Sequence, residues 1–209
     1  MRLLELFCGT CSVSKAFRNK HPNCEIVSLD ILPKYNPTIS GDILQWDYTI
    51  YPPKHFDVIW ASPPCTQYSK AHRKGQRDLD LADAIVKRTL DIIDYFQPTH
   101  WYLENPSDGG LLQHRDFMQP MTEYKHTCCY CKYGFAYRKM TNIWTNKVNL
   151  NLKMCNKQSS FCEDKRQYGK HIATAQMSRS SLARDVSYGV KHKDKAYEIP
   201  YNLIMELLD

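Results

Sequence analysis

The stretch RLLELFCGTCSVSKAF, residues 2–17, decides how the chain is read. Its first part, "RLLELF" (2–7), is an apolar run of the length of a buried strand. The loop "CGTCS" follows, with a glycine directly after the strand. Val13, Ala16 and Phe17 then recur at helical spacing through Arg18, with Ser12 as the expected N-cap. A strand that turns through glycine into a helix lets a ligand approach the backbone and offers it N–H groups at the helix start. The three-glycine dinucleotide fingerprint is absent, so the turn alone names no ligand.

The alternation continues outward. "CEIVSLDI" (24–31) reads as a second strand carrying Asp30 at its end. "GDIL" (41–44) is a loop with another acid, Asp42, and "FDVIWAS" (56–62) is a third strand. Over residues 78–97, Leu79, Ala82, Val86, Leu90, Ile93 and Phe96 form one apolar helical stripe, which Pro98 stops. "HWYLENP" (100–106) is a strand leading to Glu104. This order predicts a parallel α/β sheet, in which ligands bind at the carboxyl ends of strands. Phe7–Gly9, Asp30, Cys65 and Glu104 all fall at such ends. Beyond residue 120 the pattern loosens. "CCYCKYGFAYRKMTNIWTN" (128–146) has short β-like runs, 147–180 is polar and basic, and "AYEIPYNLIMELL" (196–208) is a short amphipathic helix.

The 209 residues, 43% hydrophobic and 24% charged, suit one domain with at most a small appendage. No apolar run approaches the roughly 20 residues of a membrane helix, and no secretory signal is expected. Nine cysteines, an odd number without an export signal, predict reduced thiols in an intracellular compartment, cytoplasmic or nuclear. Residues 125–195 carry 15 Lys/Arg against 4 Asp/Glu, while the remainder carries 13 against 18. That basic half points to a polyanionic partner such as nucleic acid, or else to a solvated basic surface.

Asp30 at a strand end could hold ribose hydroxyls, and Asp42 could accept from an adenine amino group. Each alone reads as readily as a loop cap; together they suggest a nucleoside-containing cofactor. In "ASPPCTQYS" (61–69), Pro63 and Pro64 stiffen the backbone before Cys65. A thiol there is a structural residue, a metal ligand or a nucleophile, and the strand-end setting near a helix N-terminus is expected to favour its thiolate. Glu104 on an apolar strand is costly unless paired or protonated, and a protonated carboxyl there can donate a proton. The alternative is a capping acid.

"LELFCGTCSVSKAF", "ASPPCTQYS" and "WYLENP" occur in the order of the cofactor loop, Pro-Cys nucleophile loop and Glu-Asn strand of the cytosine carbon-5 DNA methyltransferases. "YGFAYRKMTNIW" (133–144) resembles that family's later Tyr-Gly…Arg-x-Arg motif, and "YEIPYNLIMELL" (197–208) is similar to its terminal motif. The chain looks closest to small viral and phage members. The resemblance implies a Rossmann-like S-adenosylmethionine-dependent methyltransferase fold with a very small target-recognition region. It implies a catalytic core over 1–146, a short basic recognition segment over 147–190, and a C-terminal helix over 191–209 packing back on the core. Cys65 would be the nucleophile and Glu104 the acid. Phe7, Gly9, Thr10, Asp30, Ile31, Asp42, Ile43 and Pro63 would bind S-adenosylmethionine. Pro64, Thr66, Gln67, Ser69, Asn105, Arg138 and Lys139 would meet the substrate, duplex DNA with a flipped cytosine. Lys139 and Thr141 stand at the two arginine positions, and Thr66 stands where many relatives carry glutamine. The other readings are an RNA (tRNA) cytosine-5 methyltransferase and a catalytically inactive nucleic-acid-binding relative; the presence of both Cys65 and Glu104 argues against the latter.

Cys128 and Cys131 form a CxxC, with Cys155, Cys162 and His171 downstream in a segment poor in core residues. A structural zinc held by Cys131, Cys155, Cys162 and His171 is one expectation, and buried free thiols are the other.

Overall fold

Alternation along β1 (Arg2–Leu6) sends Leu3 to one face of a sheet and Leu4 and Leu6 to the other. In β4 (Val58–Ala61), Val58 and Trp60 share the face of Leu3, while Ile59 and Ala61 share that of Leu4. β5 (His100–Pro106) repeats the split with Tyr102 against Trp101 and Leu103. Strands buried on both faces require cover on both. The computed structural model describes residues 1–69, 72, 75–107, 110–135, 137–155, 171, 173–174 and 197–209.

With β2 (Glu25–Asp30), β3 (Ile39–Ser40), β6 (Lys125–Cys129) and β8 (Met140–Thr145), the main sheet runs β3-β2-β1-β4-β5-β8-β6. The first five strands are parallel, as the sequence predicts. The last two are antiparallel, which it does not: β8 runs back along β5 with Glu104 opposite Ile143, and β6 closes the edge. These are the β-like runs after residue 120. A small second sheet pairs β7 (Tyr137–Arg138) with β9 (Ala173–Thr174).

Helix α2 (Leu79–Phe96) covers the Leu4 face through Ala82, Val86, Ile92, Ile93 and Phe96. Asp78 caps it by accepting from the Leu81 N–H, and Gln97 ends it in a left-handed turn just before Pro98. On the Leu3 face α1 (Ser12–Lys20) packs against α3 (Tyr201–Leu208), burying Phe17, Leu203, Ile204 and Leu207. The Tyr102 hydroxyl donates to the Leu207 carbonyl at 2.6 Å and the Tyr133 hydroxyl to Glu206 at 3.0 Å.

Ser12 is not the N-cap of α1. Cys11 holds that place in a left-handed conformation, and the Glu5 carboxylate accepts the Ser14 N–H at 3.0 Å. A buried carboxylate on β1 thus satisfies a helix start that a local hydroxyl leaves unmet. The Ser12 hydroxyl instead accepts from the Ile199 N–H at 3.3 Å, tying α1 to the chain entering α3. Most of 147–190, and 191–196, lies outside the described residues. No helix among the described residues is long and apolar enough to cross a membrane.

Candidate active site

The loop after β1 is built from unusual backbone. Phe7, Gly9 and Cys11 all have positive φ, at 60°, 48° and 57°. Only glycine adopts that region cheaply, so Phe7 and Cys11 are held there by their surroundings. The Cys8 N–H donates to the Leu29 carbonyl at 3.2 Å. Asp30 accepts from the Gly9 N–H and the Leu32 N–H, both at 2.8 Å. One carboxylate therefore fastens the two neighbouring strand-end turns together. Asp42 is exposed and its carboxylate accepts from the Leu44 N–H at 3.0 Å.

The Cys65 loop is braced on every side. The Ser62 N–H donates to the Leu6 carbonyl at 3.3 Å. Asn105, from β5, donates to the Pro63 carbonyl at 3.0 Å. The Cys65 carbonyl accepts from the N–H groups of Tyr68 and Ser69 at 3.1 and 2.9 Å, closing a tight turn behind the thiol. Fully buried Tyr68 donates to Asp83 at 2.8 Å, and Arg115 pairs with the same carboxylate at 2.6 Å. Gln67 accepts from the Asp78 N–H at 3.0 Å and Arg77 donates to the Ser69 carbonyl at 2.9 Å. Asn105, Gln67 and Ser69, read from the sequence as substrate contacts, thus spend these groups on holding the loop. Thr66 and Pro64 are exposed at its tip.

Glu104 is 6% exposed. It accepts from the buried Tyr130 hydroxyl at 2.9 Å, and the Lys139 ammonium lies 3.6 Å from the same Oε1. Lys139 also sits over the Tyr130 ring, 4.6 Å from its centroid. Burial pushes the Cys65 thiol up from its ordinary value, Lys139 pulls it down and Glu104 pushes it up. The expectation that the loop favours the thiolate is corrected here: desolvation is the larger effect, and Lys139 is the opposing charge.

The glycine loop, Cys65 and Glu104 line one cavity of about 390 Å³. Its wall includes Phe7, Gly9, Asp30, Ile31, Asp42 and Ile43, together with Pro63, Pro64, Cys65, Thr66, Glu104 and Lys139. Ile199 and the exposed Tyr197 add a wall from the chain entering α3. Thr10, Gln67, Ser69, Asn105 and Arg138 lie outside this wall. Thr10 has a buried hydroxyl without a hydrogen-bond partner among the described residues, and Arg138 sits in β7 opposite Thr174.

Glu5, in the wall, and Tyr130, which bonds Glu104 from outside it, both escape the sequence reading. Glu5 is buried, accepts from the Ser14 N–H and hydroxyl, and is pushed up to about 7 by burial. Its signal was available: an acid inside "RLLELF" is as anomalous as Glu104 inside "WYLENP". Tyr130, the partner of Glu104, carries no comparable sequence signal; only the fold of the β6 turn brings it there.

The cysteine cluster also differs in membership. Strand alternation in β6 turns Cys128 into the core with Tyr130 and Ile143, and turns Cys129 the other way. The thiols of Cys129, Cys131 and Cys155 lie within 4.8 Å of one another, and Cys155 is 3.7 Å from Nε2 of His171. Cys162 lies outside the described residues.

The family model for C-5 cytosine-specific DNA methylases matches residues 1–130. A probable DNA (cytosine-5)-methyltransferase of Frog virus 3 (isolate Goorha) is 32% identical over 228 residues, an alignment covering 100% of this chain and 99% of that protein. A DNMT2 mutant from Spodoptera frugiperda superposes with a TM-score of 0.50 at 18% identity, over 74% of this chain and 53% of that one. The methyltransferase EhMeth of Entamoeba histolytica gives 0.52 at 13% identity, over 75% and 57%. The chain spans little more than half the length of these two structures, and the likeness shows a shared α/β Rossmann-like methyltransferase fold.

Proposed function

The chain belongs to the C-5 cytosine-specific DNA methylase family, and from that premise we propose that it transfers a methyl group from S-adenosylmethionine to carbon 5 of cytosine in DNA. One observation carries the reading: Cys65 and Glu104 share a cavity with the glycine loop and the acids Asp30 and Asp42. The wall carries four acids, Glu5, Asp30, Asp42 and Glu104, against one cation, Lys139. That charge balance suits a sulfonium, and exposed Ile31 and Leu32 offer apolar surface beside Asp42 for an adenine. Phe7, Gly9, Thr10, Asp30, Ile31, Asp42, Ile43 and Pro63 would hold the cofactor. When bound, its sulfonium supplies an electrophilic methyl group.

The chain's own residues supply the activation. Carbon 5 of cytosine is a weak nucleophile. Addition of the Cys65 thiolate to carbon 6, with Glu104 holding a proton at ring nitrogen 3, converts the ring to an enamine that is nucleophilic at carbon 5. Lys139 offsets the cost of forming the thiolate in a desolvated site. Tyr130 and Lys139, both on Oε1, fix the Glu104 carboxyl. After transfer, loss of the carbon-5 proton expels Cys65 and restores the aromatic ring. A paired cytosine lies out of reach of a recessed thiol, so the target must be flipped or single-stranded.

The test is transfer of a labelled methyl group to duplex DNA, single-stranded DNA and RNA. Activity on DNA is expected, and Cys65→Ser should abolish it. Full activity in that variant would sink the mechanism, and transfer to RNA alone would sink the choice of DNA. DNA containing 5-fluorocytosine should trap the enzyme covalently, because fluorine does not leave as a proton does.

A further inference from the structure

On either side of Tyr130 in the chain begins a cluster that methyl transfer does not use. Cys129 ends β6, Cys131 follows in the turn, Cys155 lies on the extended chain after β8, and His171 precedes β9. Sγ of Cys129 and Cys131 are 3.3 Å apart, the three thiols lie within 4.8 Å of one another, and Cys155 is 3.7 Å from Nε2 of His171. Ligands at ~2.3 Å (sulfur) and ~2.0 Å (nitrogen) from a tetrahedral zinc stand roughly 3.5–3.8 Å from one another. The spacings found are those of a site that needs only small adjustment to close.

Packing gives an independent reason. This corner has its own apolar cluster, made of Cys129 and Cys155 with Cys131 and Met140 against it. Four small or flexible sulfur side chains bury too little surface to fasten a separate length of polar chain. One backbone bond, from the Cys129 N–H to the Lys153 carbonyl at 3.0 Å, joins the two stretches beside it. Lys153 also ties this stretch to Tyr133 at 2.9 Å and to Glu206 at 2.7 Å. Three thiolates and an imidazole are the donors that select zinc, and its binding would add a further tie at this corner.

We infer that Cys129, Cys131, Cys155 and His171 form a structural zinc site, independent of the methyl-transfer reading. Zinc displaces the thiol protons and bonds the thiolates, with no change in oxidation state. It clamps the chain around 150–155 and the start of β9 onto the β6 turn. Tyr130 sits between two of the ligands; its hydroxyl donates to Glu104 and its N–H to the Lys139 carbonyl at 3.1 Å. The metal therefore secures the turn that carries Tyr130, the hydrogen-bond partner of Glu104.

Elemental analysis of the full chain, purified without chelator, should find one equivalent of zinc. Cobalt exchanged into the site should give the visible absorption of a tetrahedral thiolate complex. Cys129→Ser, Cys155→Ser and His171→Ala should lose the metal, whereas Cys162→Ser and Cys24→Ser should keep it. Folded wild-type protein with substoichiometric zinc, or with Cys129 and Cys131 oxidised to a disulfide in place of metal, overturns the site. Loss of zinc in Cys162→Ser, or its retention in Cys129→Ser, overturns this ligand set. Because the wild-type stoichiometry decides first, failure of a variant to fold does not rescue the proposal.

Discussion

Glu5 on β1 and Glu104 on β5 are both buried carboxyl groups on parallel strands that flank β4, yet they are held differently. Glu104 faces a cation and a phenol; Glu5 has hydrogen bonds from Ser14 and no cation within bonding reach among the described residues. Burial therefore dominates at Glu5 and pushes it from 4.5 up to about 7. The folded state then binds a proton that the unfolded state has released. Its stabilising contribution is complete below pH 4.5 and is lost as pH rises through 7. The loss is on the order of 3 kcal/mol. Urea unfolding from pH 4.5 to 8 should show this decline in wild type and a flatter profile in Glu5→Gln. At Glu104 the question is catalytic. Tyr130→Phe removes one donor from Oε1 and keeps the ring, which packs edge-on against Phe135 at 5.6 Å. Loss of one hydrogen bond to a carboxyl costs roughly 1.5 kcal/mol, so single-turnover methyl transfer should slow about tenfold. An unchanged rate would remove Tyr130 from the machinery; DNA affinity should stay as in wild type.

Among elements, the Cys65 loop draws its rigidity from parts far apart in sequence. Asn105 holds Pro63 from β5, and Tyr68 reaches Asp83 on α2, which Arg115 pairs from beyond β5. Tyr68→Phe leaves the Asp83–Arg115 pair intact and frees the turn behind the thiol. It should lower kcat several-fold and stability by about 1 kcal/mol, with little change in KM for DNA, read by steady-state kinetics and urea unfolding. The braces also show what the sequence could and could not disclose. Strands β1, β2, β4 and β5 and helix α2 were legible because their apolar residues follow one period and local residues, Asp78 and Pro98, mark the ends of α2. The Pro-Cys and Glu-Asn stretches stand out in the sequence because a stiffened thiol and an acid on an apolar strand are locally anomalous, and Cys65 and Glu104 line one cavity. The α1 cap was misread because its acceptor comes from another element, nine residues before the N–H it binds. The expected zinc set of Cys131, Cys155, Cys162 and His171 leaves out Cys129, because spacing does not show that Cys128 and Cys129 occupy a strand and face opposite ways. The antiparallel β8 and β6 were missed because runs of five or six residues pair by tertiary context.

For the whole molecule, the cavity joins parts of the chain that only the folded state brings together. Its wall takes residues from the loop after β1, the ends of β2 and β4, the strand β5, and the approach to α3. A ligand filling it binds the folded state and has no counterpart site in the unfolded chain, so binding adds directly to stability. S-adenosylhomocysteine, which lacks the transferable methyl group, isolates this linkage from turnover. At a hundredfold excess over its Kd it should add about 2.7 kcal/mol, roughly 5–10 °C in Tm for a chain of this size. Asp42→Ala separates binding from folding. Asp42 is exposed, and its carboxylate accepts the local bond from the Leu44 N–H, while the bonds to its carbonyl from Gln45 and Trp46 are backbone and survive the substitution. The ligand-free Tm should therefore move little, while the ligand-induced rise shrinks at the same concentration. Thermal scans with and without ligand read both quantities in one titration. An undiminished rise in Asp42→Ala would show that the acid takes no part in holding the nucleoside, and would shift that role to Asp30 and the apolar pair Ile31 and Leu32.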